Sequence, residues 1–385
     1  MPRQTGRYRV TNVHGEQVRA FIPYPLPPAK PPLAVEGDGA AMHAAAQTAL
    51  ARLGVAAALV PSTDWFLYGF VRKEAVLTSQ IEGTQATLRD VLTYEATQQA
   101  DRPDDVEAVC NYVEALTYAR KQLADPNGLA LSTRLLCNAH RHLMRGARGA
   151  DKQPGEIRRS QNWIGGTRPG NARFVPPPPE EVSAALAALE RLLHSDDPLP
   201  PLVKAGLAHV QFETINPFLD GNGRIGRLLI ALLVEHWGLL EQPLLYLSVA
   251  FRRRQQEYYT RLAAVRTDGD WEGWTAFFLD CVREAAADGM HIAQALHALL
   301  GRDRRRLVGH DCATVAAIRL LDRLPKHPVL TVPRAAEVLH LTAPPARKAI
   351  ELLASLGVLR ETTGKQRDRV YAYHQYLRIL TGDET

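Results

Sequence analysis

A mostly α-helical protein, with a small β-hairpin flap near its middle and a winged helix-turn-helix at its C-terminal end, is what three features of this sequence predict. Long stretches carry apolar residues at helical spacing, and few alternate as strands do. Segment 151–179 breaks that texture, with Pro154-Gly155, Gly165-Gly166 and Pro169-Gly170 punctuating short extended pieces. Beyond residue 311, short helical runs lead into two brief apolar stretches around a Thr363-Gly364-Lys365-Gln366 turn.

Taken in order, the first 40 residues read as irregular. The proline-rich stretch 23–35 runs extended, because proline neither donates a backbone hydrogen bond nor continues a helix. Helices are expected over 42–59, 68–80, 105–123 and 131–144, the second stopped by Gly83 beside Glu82. Pieces 157–164 and 172–175 make the flap, closed by the four prolines 176–179. Helices resume over 180–193, 202–214, 225–236, 248–266 and 271–300. Further helices over 313–324, 332–339 and 344–356, a strand after Gly357 and another over 369–373 complete the winged module. Three domains are expected: an N-terminal helical region over 1–110, a central helical domain over 111–300, and the winged module over 311–385. The basic run Gly301-Arg302-Asp303-Arg304-Arg305-Arg306 marks the last boundary.

Bulk composition narrows the class. With 385 residues, 46% of them apolar and 23% charged, and a formal net charge of +5, the chain has a large core and no extensive disorder. Cys110, Cys137, Cys281 and Cys312 form no CxxC pair and read as free thiols in a reducing compartment. No stretch resembles a cleavable leader or a bilayer span, so a cytoplasmic protein without membrane contact is expected. The histidines show no paired metal-ligand spacing, which argues against zinc.

The densest chemistry lies in Asn216-Pro217-Phe218-Leu219-Asp220-Gly221-Asn222-Gly223-Arg224-Ile225-Gly226-Arg227, directly ahead of an apolar helical run. Asp220 is a hard oxygen ligand suited to Mg²⁺. Gly221 and Gly223 let backbone amides converge on an anion at a helix N-terminus, where the dipole also favours it. Asn222 can donate to a phosphate oxygen. Arg224 and Arg227, three apart, share one face of the first turn and repel unless an anion lies between them. Asn216 stands where a proton acceptor would be best placed, and an amide cannot act as a general base. His209, seven residues earlier, sits among apolar neighbours and reads as a packed, hydrogen-bonded histidine.

This stretch resembles the Fic family signature H-P-F-x-[DE]-G-N-G-R-x-x-R everywhere except its first residue. The flanks agree, with Pro154-Gly155-Glu156-Ile157-Arg158 and Asn162-Trp163-Ile164-Gly165-Gly166 similar to the family's flap. The resemblance implies a Fic-type helical bundle and an ATP- and Mg²⁺-dependent protein adenylyltransferase. Such enzymes transfer the AMP moiety of ATP onto a Ser, Thr or Tyr hydroxyl, of a partner protein or of the chain itself. It implies that Asp220 holds the metal, that Gly221, Asn222 and Gly223 cradle the α- and β-phosphates, and that Arg224 and Arg227 bind phosphates, Arg227 the γ-phosphate. Asn162, Trp163, Ile164, Gly165 and Gly166 would align a target segment by strand addition. Asn216 replaces the motif histidine, the catalytic base, so nucleotide binding should persist while transfer is impaired.

Thr78-Ser79-Gln80-Ile81-Glu82-Gly83 is, taken alone, a polar helix end with a glycine stop. It is also similar to the family's inhibitory motif [ST]-x-x-x-E-[GN]. That resemblance implies that Glu82 pairs with Arg227 and occupies the place of a γ-phosphate, an autoinhibition within one chain. In some relatives the same glutamate serves AMP removal, so a de-AMPylating member is an alternative. A non-catalytic nucleotide-sensing or DNA-binding regulator is another. Residues 311–385 contain eleven Lys/Arg and eight Asp/Glu. Arg347 and Lys348 on the recognition helix, with Lys365, Arg367 and Arg369 on the wing, suit phosphate contacts to DNA. Pro344-Pro345 at the helix start suits a docking or dimerisation role equally well.

Overall fold

The computed structural model describes residues 3–13, 15–58, 63–146, 149–242 and 244–382. It is predominantly helical, as the sequence leads one to expect. The first 40 residues, however, are not irregular. Strands β1 (Gly6–Val13) and β2 (Glu16–Pro23) form an antiparallel hairpin with Val13 opposite Glu16 and Gly6 opposite Pro23. Its inner face buries Val13, Val18 and Ala20 with Val175, and Trp163 and Ala172 of the flap pack against that cluster. The alternation Arg7-Tyr8-Arg9-Val10 and Val18-Arg19-Ala20 matches these strands.

Helices α1 (Asp38–Ala58), α2 (Thr63–Ile81), α4 (Pro103–Ala124) and α5 (Thr133–Leu143) fall where expected; the end foreseen for the first, near residue 59, lies outside the described residues. Helix α3 (Leu88–Thr97) was not foreseen, although Thr87 and Asp90 form a reciprocal capping box at its start. The flap is less regular than a hairpin. Ile164 and Phe174 make a single bridge, and a 3-10 turn spans Pro169–Asn171. Piece 157–164 is not a strand, because the Arg158 N–H is drawn to the Pro217 carbonyl at 2.9 Å. Strand β2 secures the flap's far end, Phe21 donating to the Val175 carbonyl at 2.9 Å.

Helices α6 (Pro179–Leu193), α7 (Pro201–Ile215) and α8 (Asn222–His236) follow. Helix α7 is buried on every side, even at Lys204 and Gln211, which makes it the centre of the bundle. The expected helix over 248–266 is two helices, α9 (Ser248–Arg253) and α10 (Gln255–Thr267), broken at Arg254. Helix α11 (Trp271–Val308) does not stop at residue 300 but runs through Gly301, with Leu299, Asp303 and Leu307 buried along one side.

The C-terminal region comprises α12 (Val315–Arg323), β3 (Val329–Thr331), α13 (Val332–Leu339), α14 (Ala343–Ser355), β4 (Arg360–Glu361), β5 (Val370–Ala372) and α15 (His374–Thr381). The strands form an antiparallel sheet in the order β3-β5-β4, consistent with a winged helix; β3 and α15 are additions to the expected plan. This region packs on the bundle, α15 against α11 and α2, and β3 against α3. At Gly69 of α2 a Cβ atom would lie 2.9 Å from the Tyr376 hydroxyl and 2.8 Å from Leu380. Among the described residues, no helix is long and apolar enough to cross a membrane.

Candidate active site

The chain leaves α7 at Asn216, which takes the left-handed conformation (φ 48°, ψ 64°) and caps the helix by donating its N–H to the Phe212 carbonyl at 2.9 Å. Asparagine visits this region more readily than most residues. The following loop is closed by Asn222. Its Oδ1 accepts from the Phe218 N–H at 2.9 Å, and its Nδ2 donates to the Phe218 carbonyl at 2.8 Å. The Asn222 side chain therefore shapes the loop from within. Gly221, at φ 75°, precedes α8, and no side chain caps that helix N-terminus, the arrangement an anion can complete.

Two residues far away in sequence brace this loop. His140 on α5 receives the Gly155 N–H on Nδ1 at 2.9 Å, which fixes its tautomer, and Nε2–H donates to the Asp220 carbonyl at 3.0 Å. Its ring stacks on Phe218 at 3.8 Å, nearly parallel. Burial pushes its pKa down to about 4, so at neutral pH it is an uncharged strut. Arg158 is fully buried, donating from Nε to the Asn216 carbonyl at 2.8 Å and from Nη2 to the Pro177 carbonyl at 2.6 Å. Burial lowers its pKa to about 10, leaving it charged. It joins the flap's base to the α7 terminus.

Asn216 meets the flap through its side chain. Asn162 Nδ2 donates to Asn216 Oδ1 at 2.7 Å, and the same NH₂ lies 3.3 Å from the Phe218 carbonyl. That carbonyl can only accept, so it orients the Asn162 amide and requires Asn216 to present its oxygen there. The Asn216 acceptor is thus engaged within the protein. Trp163 packs under the flap, Ile164 is exposed, and Gly165 and Gly166 have φ of 70° and 75°.

Across the loop stands Arg227, its side chain only 1% exposed. Nε donates to Thr78 Oγ1 at 2.6 Å, and Nη2 donates to the Thr78 carbonyl at 3.2 Å and to Glu82 Oε1 at 2.5 Å. Burial opposes its charge, but the Glu82 carboxylate and more distant Tyr258 and Glu213 outweigh that and raise its pKa. The same Glu82 oxygen would lie 2.3 Å from a Cβ on Gly223, so any side chain there would push Glu82 off Arg227. Arg224 is buried with Nη2 3.6 Å from Met144 Sδ. Glu213 lies behind Arg227; burial raises its pKa to about 7 against the pull of Arg227.

The structure thus brings together Asp220, Gly221, Asn222, Gly223, Arg224, Arg227 and Asn216 from the loop, Glu82 from beyond α2, and Asn162 from the flap. His209 is apart from them. Its Nε2 pairs with the Tyr258 hydroxyl at 2.8 Å, its ring stacks among Phe251, Tyr258 and Trp274, and burial pushes its pKa to about 3. It is a packed core histidine. Among the described residues no three His, Cys, Asp or Glu side chains cluster as a metal cage. Asp220 alone offers a carboxylate at the loop, which fits Mg²⁺, an ion that takes one or two protein carboxylates and completes its shell from phosphates and water. His140, Arg158 and Glu213 were not foreseen in these roles.

Comparison with known proteins agrees with this fold. Residues 40–121 match the family model described as Fic/DOC family N-terminal, and residues 130–234 the model described as Fic/DOC family. The Protein adenylyltransferase Fic of Drosophila erecta is 27% identical over 209 residues, 53% of this chain and 39% of that protein. Its counterpart in Drosophila yakuba is 33% identical over 132 residues, 34% of this chain and 24% of that protein. The matches thus span well under half of those relatives' lengths. A Fic family protein from Desulfovibrio desulfuricans superimposes with a TM-score of 0.57 at 21% identity, over 89% of this chain and 97% of that one. A Fic domain containing signaling protein from Bacteroides thetaiotaomicron gives 0.52 at 16% identity, over 65% of this chain and 97% of that one.

Proposed function

We propose that this chain, a Fic/DOC-fold protein related to known Fic adenylyltransferases, binds ATP with Mg²⁺ at the 216–227 loop and is built to transfer AMP to a protein hydroxyl. Glu82 restrains it, and Asn216 limits the chemistry. The contact of Glu82 with Arg227 at 2.5 Å carries this reading. A buried arginine in the second turn of a helix with no side-chain cap, already holding one anion from the same chain, is arranged for a phosphate.

Each residue has a task. The N-terminal amides of α8 would receive phosphate oxygens, and Arg224 would add charge beside them. Arg227 would take the γ-phosphate once Glu82 moves aside. Asp220 would hold Mg²⁺, which neutralises phosphate charge when bound. In the transfer, the target hydroxyl oxygen bonds to the α-phosphorus as the bond from that phosphorus to the bridging oxygen breaks. Pyrophosphate leaves and the hydroxyl proton must go elsewhere. Asn216 cannot take that proton, and its own acceptor is occupied by Asn162. Flap residues 162–166, supported by the β1–β2 hairpin, would align the target.

The engagement of Asn216 also favours a second reading, a nucleotide-responsive regulator that performs no transfer. One experiment separates the two. AMP incorporation from labelled ATP is measured for Glu82→Gly alone and with Asn216→His. A rise on the order of 10²-fold in the double variant is expected from restored proton abstraction. An unchanged rate with ATP binding intact supports the regulator.

A further inference from the structure

Away from the 216–227 loop, a cavity of about 1260 Å³ opens between α2, α9, α11 and α15. Its wall carries four cations, Lys73, Arg252, Arg253 and Arg378, and a single carboxylate, Asp288. That carboxylate is already taken by Arg253 at 2.7 Å, and Arg253 also holds Glu284 at 2.9 Å. Asp288 also favours the charge on Lys73, while Arg253 works against it. Lys73 sits partly buried, and the loss of water there lowers its pKa, a cost that an anion would offset. Gln255, Gln375 and His291 add neutral hydrogen-bonding groups, and Leu77, Ile292 and Ile379 add apolar surface.

We propose that this cavity is a second ligand site, distinct from the nucleotide loop, that takes a small polyanionic organic phosphate. Three physical facts meet there: a recess large enough for a nucleotide-sized ligand, an excess of cationic side chains drawn from three helices, and apolar patches for a non-phosphate moiety. The recess lies where the winged region packs on the bundle, a common setting for ligand sites. Lys73 and Leu77 come from α2 on a face different from Thr78, and Gln255 Nε2 lies 3.4 Å from the Ile81 carbonyl, immediately before Glu82. An occupant is thereby in touch with the helix that carries the Arg227 contact.

The test uses the full chain and inorganic tripolyphosphate, titrated by calorimetry. Binding at two sites is expected. Arg252→Gln with Lys73→Gln should weaken one of them by on the order of tenfold or more, the scale of losing charge-assisted bonds. Arg227→Gln should affect only the other. Because Arg252 is exposed, Arg252→Gln alone is expected to fold and to give a smaller loss in the same site if the double variant is unstable. Restoring charge as Arg252→Lys should recover part of the affinity. Binding at one site only, lost with Arg227→Gln and indifferent to Lys73 and Arg252, overturns the proposal.

Discussion

Replacing Glu82 by glycine removes the carboxylate that lies 2.5 Å from Arg227 Nη2. The guanidinium stays oriented, because Nε keeps its 2.6 Å bond to Thr78 Oγ1 and Nη2 its 3.2 Å bond to the Thr78 carbonyl. The lost bond is charge-assisted and its arginine side is buried, but Glu82 is 35% exposed, so water screens part of it. Its worth to a competing phosphate is then near the low end for such bonds, about 1.5 kcal/mol. A γ-phosphate that need not displace Glu82 gains that amount, roughly tenfold in Kd for ATP. AMP has no γ-phosphate, and its affinity should stay unchanged. Calorimetric titration of both variants with ATP and with AMP, each with Mg²⁺, reads the difference directly. The unliganded variant should also melt at a lower temperature, since a buried arginine has lost its ionic partner, and ATP should restore the loss. An equal gain for ATP and AMP, or none for either, refutes competition at Arg227.

Acid should loosen the loop through His140, whose folded pKa of about 4 lies below the ordinary 6.5. The unfolded chain binds the proton first, so the stability it contributes is full above pH 6.5 and falls away as pH drops from there toward 4. Melting temperatures at pH 7 and pH 5 should therefore differ less for His140→Gln than for the unsubstituted chain; an identical pH dependence sinks this account. For the winged region, Arg347, Lys348, Lys365 and Arg367 are exposed, as phosphate contacts must be. If the region reads DNA, their replacement by alanine should abolish duplex binding and flatten its salt dependence by about one unit of slope per contact. No duplex affinity in the unsubstituted chain at roughly 50 mM salt turns the region into a docking or assembly module.

Much of the site was legible because its chemistry is contiguous. Asp220 to Arg227 lie within one loop and the first two helical turns of α8, so spacing alone places them together. The braces were not legible. His140 reaches Asp220 across 80 residues and Arg158 reaches Asn216 across 58, and nothing local marks either pairing. The β1–β2 hairpin carries a strand signal in the alternation Arg7-Tyr8-Arg9-Val10 and Val18-Arg19-Ala20, but Tyr8 and Val10 are exposed and its inner face is completed by Val175 from the distant flap. Gly301 was a poor guide to the end of α11. A glycine costs a helix about 1 kcal/mol, and tertiary contacts override that. Buried Leu299 and Leu307 flank it, and Asp303 accepts from the Tyr373 hydroxyl at 2.8 Å.

The division of labour around Arg227 bears on how the proposed restraint would be released. Thr78, which anchors the guanidinium, is completely buried and lies within α2, whose position is set by the bundle core and by Tyr376 and Leu380 of α15. Glu82 lies beyond the last residue of that helix, Ile81, is partly exposed, and is followed by Gly83 at φ 97°. In the proposed mechanism a phosphate would displace the carboxylate by changing side-chain torsions and the turn at Gly83, without shifting α2 or breaking the Thr78 contacts. Local openings at exposed helix ends are the least costly motions a fold permits. The proposed restraining group, Glu82, is on the part of the segment that yields first, and Arg227 is held by the part that yields last.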